Sequence, residues 1–331
     1  MKNGGEFGVI GLGKMGGGLA LQALEKGFRV VGLSRDGAPD ELKEAGLVEV
    51  EELASFREQL KPPRVVLLYV PAGRAVDDIL VGLTQSLEPG DIIADGGNSY
   101  WGDSIRRHRR LQAKGTQFVD VGTSGGVEGA RHGACFMVGG ERVAVTHLEP
   151  LLRALATDRG YVHAGPPGAG HFVKLVHNGI EFGMMQAIGE GFDLLTHYHE
   201  PLDIDGVLDC WRHGSVIRSW LIDLLAEAYK ADPRLEQPSS YVEDTGEVNW
   251  LVGDALCMEV PVPVIAQSVM QLFVSRDARK KWARAIVLMR HRFGGHPLGP
   301  DEKIARERHE GRVGDFYSAD TAGESAEMNK Q

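Results

Sequence analysis

The hydrophobic residues in the first half of the chain form short continuous runs that alternate with helix-like stretches. The runs cover residues 7–10, 28–33, 65–70, 92–94 and 118–121, and the first of them is followed by a helical pattern over residues 14–26. Apolar runs without polar alternation are typical of parallel strands that are buried on both faces. Strands separated by helices predict βαβ units and a doubly wound parallel sheet.

The second half of the chain has a different pattern, with long helical periodicities and few strand signals. The strongest helical patterns cover residues 171–199, 204–230 and 262–292, and the Gly-Pro-Pro-Gly segment at 165–168 is typical of a linker. We therefore expect an all-α C-terminal domain. The predicted division is a sheet domain at 1–165, a helical substrate and dimerisation domain at 166–300, and a charged, flexible tail at 301–331.

A glycine-rich loop follows the first predicted strand. Residues 11–16 read Gly-Leu-Gly-Lys-Met-Gly, which matches G-x-G-x-x-G between a strand and a helix. That context is typical of a Rossmann-type domain, in which glycines let the backbone approach a pyrophosphate at a helix N-terminus. The fold class is thus predicted as an α/β Rossmann-type doubly wound parallel sheet followed by an all-α domain. The expected cofactor contacts are Gly11, Gly13, Met15 and Gly16.

The end of the second predicted strand bears on the choice of cofactor. It carries Ser34, Arg35 and Asp36. An arginine at this position suits a 2′-phosphate and favours NADP, with Ser34 as a further contact. In the alternative interpretation Arg35 is a solvated loop residue and Asp36 binds the ribose hydroxyls of NAD.

One helical segment carries four polar residues on a single face. Lys174, His177, Asn178 and Glu181 stand at positions i, i+3, i+4 and i+7. The apolar residues between them predict that this helix is buried, and buried polar groups need partners or a ligand. Burial lowers the pKa of a lysine and raises that of a glutamate, so the stripe suits general acid–base catalysis. The alternative is an amphipathic helix whose polar stripe faces water.

Composition and charge narrow the possible functions. The 331 residues carry a formal net charge of −10, which argues against nucleic acid or an anionic membrane as the main partner. The three cysteines form no CxxC pair, so a disulfide framework or a zinc site is not expected, and no other metal site is predicted. The N-terminal residues show no secretory pattern, and we expect a cytoplasmic protein.

Three motifs together resemble the decarboxylating 6-phosphogluconate dehydrogenases, a family within the β-hydroxyacid dehydrogenases. They are Asp-Gly-Gly-Asn-Ser at 95–99, Gly-Thr-Ser-Gly-Gly at 122–126, and Lys-Leu-Val-His-Asn-Gly-Ile-Glu at 174–181. The resemblance extends from the glycine loop to Phe-Gly-Gly-His at 293–296, and the chain length is similar to the short bacterial form. It implies the conversion of 6-phosphogluconate to ribulose 5-phosphate and CO2 with reduction of NADP or NAD, as in the pentose phosphate pathway.

The resemblance also implies roles for individual residues. Lys174 would be the general base and Glu181 the general acid. The implied substrate contacts are Asn98, Ser124, Gly125, Gly126, His177, Asn178, Arg290 and His296, and Asn98 would also contact the cofactor. In the family the arginine and histidine come from a neighbouring subunit, which implies a homodimer or homotetramer with shared active sites. Basic residues that cap a helix end are the alternative for Arg290 and His296.

Some positions depart from the family pattern, and two other functions stay open. Asn249 and Leu272 stand where relatives usually carry basic residues, with Arg276 one turn beyond Leu272, and Phe182 replaces a common tyrosine. One alternative is a different β-hydroxyacid dehydrogenase, such as a semialdehyde reductase. The other is a non-catalytic dinucleotide-binding sensor, which would not need an acid–base pair.

Overall fold

The structure, a computed structural model, describes residues 5–310, and for 307–310 only the backbone. The chain forms two compact units. One contains the residues up to Glu181 together with Thr245–Val262, and the other contains Phe182–Asp244 and the residues from Pro263 onward. The first unit therefore includes the beginning of the helix that carries the polar stripe. The predicted domain boundary near residue 165 stays a prediction.

The first unit is built on one sheet of eight strands in the order β3-β2-β1-β4-β5-β6-β7-β8. The first six strands in the chain run parallel, β7 pairs antiparallel with β6, and β8 pairs parallel with β7. The predicted doubly wound parallel sheet is thus confirmed, with two strands of opposite direction added at one edge. The strands are β1 Glu6–Ile10, β2 Arg29–Leu33, β3 Val48–Glu49, β4 Val65–Leu68, β5 Ile92–Asp95, β6 Gln117–Ser124, β7 Ala134–Gly139 and β8 Ala156–Gly165.

Helices cover both faces of this sheet and complete two hydrophobic clusters. β-branched residues at the strand centres, such as Val9, Val66 and Val119, are fully buried, as expected for strands packed on both faces. The helices between the strands are α1 Lys14–Glu25, α2 Asp40–Glu44, α3 Ser55–Gln59, α4 Arg74–Ser86, α5 Trp101–Gln112, α6 Gly126–His132 and α7 Arg142–Leu155. After β8 the described part of the first unit adds helices and connecting residues but no further strand.

The sequence pattern did not predict β7 and β8. β8 contains Asp158, Arg159 and Gly160, and its pairing with β7 shifts register after Ala134. Arg159 has a φ of 59°, which interrupts the extended backbone. A polar, irregular edge strand lacks the continuous apolar run on which the strand predictions rest.

The remaining described elements are helices. They are α8 Ala169–Thr196, α9 Ile204–Gly214, α10 Trp220–Ala231, α11 Glu247–Cys257, α12 Pro263–Arg276, α13 Lys281–Gly294 and α14 Glu302–Glu310. The patterns over 204–230 and 262–292 thus each correspond to two helices. The first pattern is divided before α10, where the Ser219 side chain accepts a hydrogen bond from the Ile222 amide and caps a new helix. The second is divided at Lys280, which adopts a φ of 44°.

The predicted tail begins with structure rather than loop, because α14 covers its first residues. The rest of that predicted flexible segment, residues 311–331, lies outside the described residues.

Burial of α8 is less complete than the sequence suggested. Leu175 is buried, but four apolar side chains of the helix are 37–53% exposed: Val173, Ile180, Met184 and Met185. Apolar side chains lie around more of the circumference of α8 than the rest of the same chain covers. The expectation of a buried helix therefore fails for this part of its surface.

Candidate active site

The glycine loop connects β1 to α1 at the carboxyl edge of the sheet. A Cβ atom on Gly11 would lie 2.3 Å from the Tyr69 carbonyl oxygen, and one on Gly16 would lie 2.0 Å from the Gly11 carbonyl oxygen. Gly13, by contrast, has no neighbour within 4 Å of that position and begins α1 without a side-chain cap. The start of α1 is thus open beside Gly13, and no side chain caps its first N–H groups, as a dinucleotide pyrophosphate requires. Met15 packs against the hydrophobic cluster that contains Val9 and Val119.

Ser34, Arg35 and Asp36 directly follow β2 at the same edge. Arg35 and Asp36 are both exposed and form an ion pair with 3.2 Å between Nη2 and Oδ2. The Asp36 carboxylate raises the pKa of Arg35 through this hydrogen bond. Arg35, which would favour NADP, and Asp36, which would favour NAD, therefore lie beside each other, and both side chains are accessible.

The loop after β5 is held by a buried ionic network that the sequence did not reveal. Arg107 is fully buried and donates to Asp77 at 3.0 Å and to Asp95 at 3.4 Å. Asp95 also accepts hydrogen bonds from the Ser99 hydroxyl and the Gly97 amide. These bonds fix the backbone on both sides of Asn98.

Residue Asn98 reaches α8 through its side chain. Its amide oxygen accepts a hydrogen bond of 3.2 Å from the amide nitrogen of Asn178, which is only 4% exposed. Two motifs that lie 80 residues apart therefore meet at one point.

The two faces of strand β6 serve different purposes. On one face, the buried Asp120 accepts the backbone N–H groups of Gly168 and His171 at 2.7 and 2.9 Å, so it caps the start of α8. On the opposite face, the Thr123 hydroxyl lies 3.1 Å from the Tyr69 hydroxyl. Burial raises the pKa of Asp120. Nothing in the sequence pattern singled out Asp120, because its partners are about 50 residues away.

Close backbone contact brings α8 against β6. A Cβ atom on Gly122 would lie 2.5 Å from the Lys174 Cβ, and one on Gly170 would lie 2.5 Å from the carbonyl oxygens of Asp120 and Met137. Larger residues at either glycine would push the helix away from the strand. The signal in the sequence was the glycines themselves, but their partners could not be read from it.

The polar stripe of α8 forms one connected group. The Lys174 Nζ lies 3.4 Å from His177 Nδ1, and Glu181 Oε2 lies 3.7 Å from the same ring nitrogen. The other ring nitrogen of His177 lies 3.0 Å from the Ser124 hydroxyl at the end of β6. The predicted stripe is therefore confirmed as a spatial cluster, with Gly125 and Gly126 directly after that serine.

Burial shifts the pKa values of the two nitrogen bases in this cluster. It lowers the pKa of Lys174, while the carboxylates of Glu181 and Glu247 and the Cys135 thiol act to raise it. Burial and the nearby lysine lower the pKa of His177. The environment thus favours a neutral amine on Lys174 at lower pH than for a lysine in water, as a general base requires.

The remaining two candidate residues, Arg290 and His296, belong to the second unit. Arg290 is exposed on α13, and the His296 carbonyl oxygen lies 2.8 Å from His291 Nδ1 just after the helix end. Arg276, in the same unit, donates to the Val242 carbonyl oxygen and pairs with Asp244. Its guanidinium is therefore already engaged with the segment before α11.

Two negative findings apply to the described residues. Within 5–310, no group of three or more histidine, cysteine or acidic side chains is arranged to hold a metal ion. In the same range no helix combines the length and apolar character needed to cross a membrane.

Comparison with known families matches nearly the whole chain. Residues 6–165 match the model described as the NAD-binding domain of 6-phosphogluconate dehydrogenase. Residues 170–310 match the model described as the 6-phosphogluconate dehydrogenase C-terminal domain.

Individual relatives agree with this match. The chain is 43% identical over 292 residues to a putative 6-phosphogluconate dehydrogenase of Bacillus subtilis, covering 88% of this chain and 98% of the relative. It is 39% identical to an NAD(+)-dependent, decarboxylating 6-phosphogluconate dehydrogenase of Haloferax volcanii, again over 98% of the relative. Among solved structures, it is similar to the Plasmodium falciparum 6-phosphogluconate dehydrogenase, with a TM-score of 0.75 and 28% identity over 89% of this chain and 66% of that one.

Proposed function

Since the chain belongs to the 6-phosphogluconate dehydrogenase family, we propose that it catalyses the NAD(P)-dependent oxidative decarboxylation of 6-phosphogluconate to ribulose 5-phosphate and CO2. The observation that carries the proposal is the position of Lys174. Its amine is partly buried, its pKa is lowered, and it contacts His177 in a cluster that ends at Glu181. A pure binding protein does not need a lysine with a lowered pKa beside a carboxylate.

The residues of the glycine loop fit a dinucleotide. Gly11 and Gly16 permit the close turn, and Gly13 leaves open space in front of the uncapped helix α1. In this proposal Met15 and Asn98 complete the contacts near the reacting end. The dinucleotide supplies the hydride acceptor when it is bound.

For the choice of dinucleotide we favour NADP. Arg35 is exposed just after β2 and is able to form a bidentate contact with a 2′-phosphate, with Ser34 beside it. Asp36 neutralises part of that charge and is suited to ribose hydroxyls. The relative named as NAD(+)-dependent makes NAD the alternative that the experiment must measure.

The acid–base residues act on the substrate in sequence. Neutral Lys174 takes the proton of the C3 hydroxyl as the hydride leaves C3, which gives a 3-keto acid. The resulting ammonium then hydrogen-bonds the C3 oxygen and stabilises the negative charge that develops there as CO2 leaves. Glu181 delivers a proton to C1 of the enediolate, which gives the ketone of ribulose 5-phosphate. The hydride passes to the dinucleotide, and the ammonium of Lys174 supplies the charge stabilisation that a metal ion provides in other decarboxylases.

In this proposal the substrate contacts come from two segments of the same unit and from a neighbouring subunit. Ser124, Gly125 and Gly126 lie at the end of β6, and His177 and Asn178 follow Lys174 on α8. We assign the phosphate to Arg290 and His296 of a neighbouring subunit, which makes the enzyme an oligomer with shared active sites. The lack of any buried residue in α13 supports this assignment.

The test is an assay of the purified chain with 6-phosphogluconate and either NAD or NADP, in which dinucleotide reduction and CO2 are followed together. We expect coupled production of both, faster with NADP. Lys174→Met should lower kcat by about a thousandfold or more, because the base and the later ammonium are both lost. Dinucleotide binding should be unchanged.

The matched control is Lys230→Met, which removes an exposed lysine at the end of α10 and should keep full activity. Reduction of neither dinucleotide by the wild-type protein would contradict the proposal, as would a Lys174→Met variant with near-normal turnover.

A further inference from the structure

One carboxylate outside the catalytic stripe joins two elements at the edge of the site. Asp254, on α11, accepts the Tyr100 hydroxyl on Oδ1 at 2.8 Å and the Trp101 indole N–H on Oδ2 at 2.7 Å. Tyr100 and Trp101 directly follow the loop that carries Asn98. Both oxygens of one side chain are thus bound by two consecutive residues, Tyr100 and Trp101, where that loop meets α5.

Aromatic contacts extend this junction to the catalytic helix. Tyr100 packs edge-on against Trp250 of α11, with ring centroids 5.8 Å apart. Trp101 packs edge-on against Phe172 of α8, also at 5.8 Å. Phe172 lies two residues before Lys174, so the two aromatic residues connect α11 to the beginning of the catalytic helix.

Both hydrogen bonds to Asp254 join a neutral donor to a charged carboxylate. Burial, together with the Asp254 carboxylate, raises the pKa of Tyr100 to about 12, so its hydroxyl stays protonated and donates. The geometry of the two donors matches the two oxygens of a single carboxylate. A charged acceptor gives stronger hydrogen bonds than a neutral one.

The beginning of α11 also influences the reacting lysine. Glu247, the first residue of α11, interacts electrostatically with Lys174. Displacement of α11 would therefore change both the electrostatic environment of Lys174 and the position of the loop that carries Asn98.

We propose that Asp254 is a positioning residue for the reaction: by binding Tyr100 and Trp101 it fixes the loop of Asn98 against α8 and α11. The inference rests on the proposed function, which assigns Asn98 to the substrate and to the reacting end of the dinucleotide. Asp254 acts through the loop and does not touch the reacting atoms. Its loss should weaken the alignment of the sugar acid, whereas the pyrophosphate end of the dinucleotide should not sense it.

The experiment compares two substitutions that keep the number and branching of the side-chain heavy atoms. Asp254→Leu removes both acceptors and leaves two partly buried donors without a partner. Asp254→Asn preserves both bonds, because the amide oxygen accepts the Trp101 N–H and the amide N–H donates to the Tyr100 oxygen. For each variant KM and kcat with 6-phosphogluconate are measured, together with the dinucleotide Kd in the absence of substrate.

We expect Asp254→Leu to raise KM for 6-phosphogluconate about tenfold and to lower kcat, since small displacements of positioning groups are costly. The dinucleotide Kd should stay within about threefold, because the glycine loop holds the pyrophosphate and Asn98 adds only one contact at the reacting end. Asp254→Asn should stay within about threefold of the wild type in all constants. Tyr100→Phe should have a smaller effect. Combined with Asp254→Leu it should add little, because both changes remove the same bond.

Three results would overturn the inference. They are an Asp254→Leu enzyme with wild-type KM and kcat, one in which only the thermal midpoint falls, and an Asp254→Asn enzyme that is as impaired as Asp254→Leu. A wild-type protein that turns over no 6-phosphogluconate would instead overturn the proposed function, and this inference with it.

Discussion

Lys174 combines burial, which lowers its pKa, with neighbouring carboxylates that raise it. The balance sets the pH above which the amine is neutral and able to accept a proton. Glu181 has its own proposed role in the reaction, but Glu247 does not. Removal of the Glu247 charge therefore changes the pKa of Lys174 without removing a group that reacts.

We predict that Glu247→Gln moves the acidic limb of the kcat/KM profile to lower pH. The carboxylate raises the pKa of Lys174, so its loss lowers that pKa further, and the neutral amine forms earlier as pH rises. The measurement is kcat/KM for 6-phosphogluconate across the pH range, since this ratio reports groups of the free enzyme. Glu200→Gln, an exposed residue after α8, is the control and should leave the limb in place. A shift to higher pH would contradict the prediction.

At the residue scale, helical spacing was enough to predict the stripe on α8, because i, i+3, i+4 and i+7 positions always share a face. The supporting residues were out of reach. Arg107 and Asp120 act through partners that are distant in sequence, and no local pattern distinguishes a buried carboxylate that caps a helix from an exposed one.

At the scale of elements, the contact between β6 and α8 determines where the catalytic side chains lie. Gly122 is the point of closest approach, and any larger residue there meets the Lys174 Cβ. The strand positions and the helix were predictable from apolar runs and periodicity. Their mutual distance was not, because it depends on pairs of glycines that face each other only in the fold.

We predict that Gly122→Ala lowers both activity and stability. The added methyl group would lie 2.5 Å from the Lys174 Cβ, so the helix must move and the free energy of unfolding should fall by about 1–3 kcal/mol. Thermal unfolding and kcat measured on the same preparation check this.

The matched control is Gly189→Ala on the same helix, where an added Cβ has no neighbour within 4 Å. That change should raise stability by up to about 1 kcal/mol, because alanine favours the helix. Equal effects of the two substitutions would contradict the steric explanation.

At the scale of the whole molecule, the second unit leaves much apolar surface uncovered. Helix α13 has 14 residues and no buried side chain, and Trp282, Met289 and Phe293 are each more than half exposed. Isolated soluble chains rarely expose apolar surface on this scale without a partner. Apolar runs and helical periodicity predicted the class of each half, whereas a surface that would bind a second copy has no local signature.

We predict that the protein is a dimer or larger at micromolar concentration. Light scattering after size exclusion should give a multiple of 36.0 kDa. Phe293→Glu should shift the species toward the monomer, since a buried charge without a partner opposes association. Glu200→Gln again serves as a control without effect. A wild-type mass of one chain would contradict this prediction.

The side chains on the two faces of β6 contact different partners. The effect of an insertion in this strand therefore depends on whether the number of inserted residues is odd or even. Asp120 and Gly122 face α8, whereas Thr123 faces Tyr69. Because strand side chains alternate with a period of two, one residue inserted before Asp120 would exchange the faces, and two would restore them. An odd change in the length of this strand therefore needs a bulge to absorb the extra residue, whereas an even change does not.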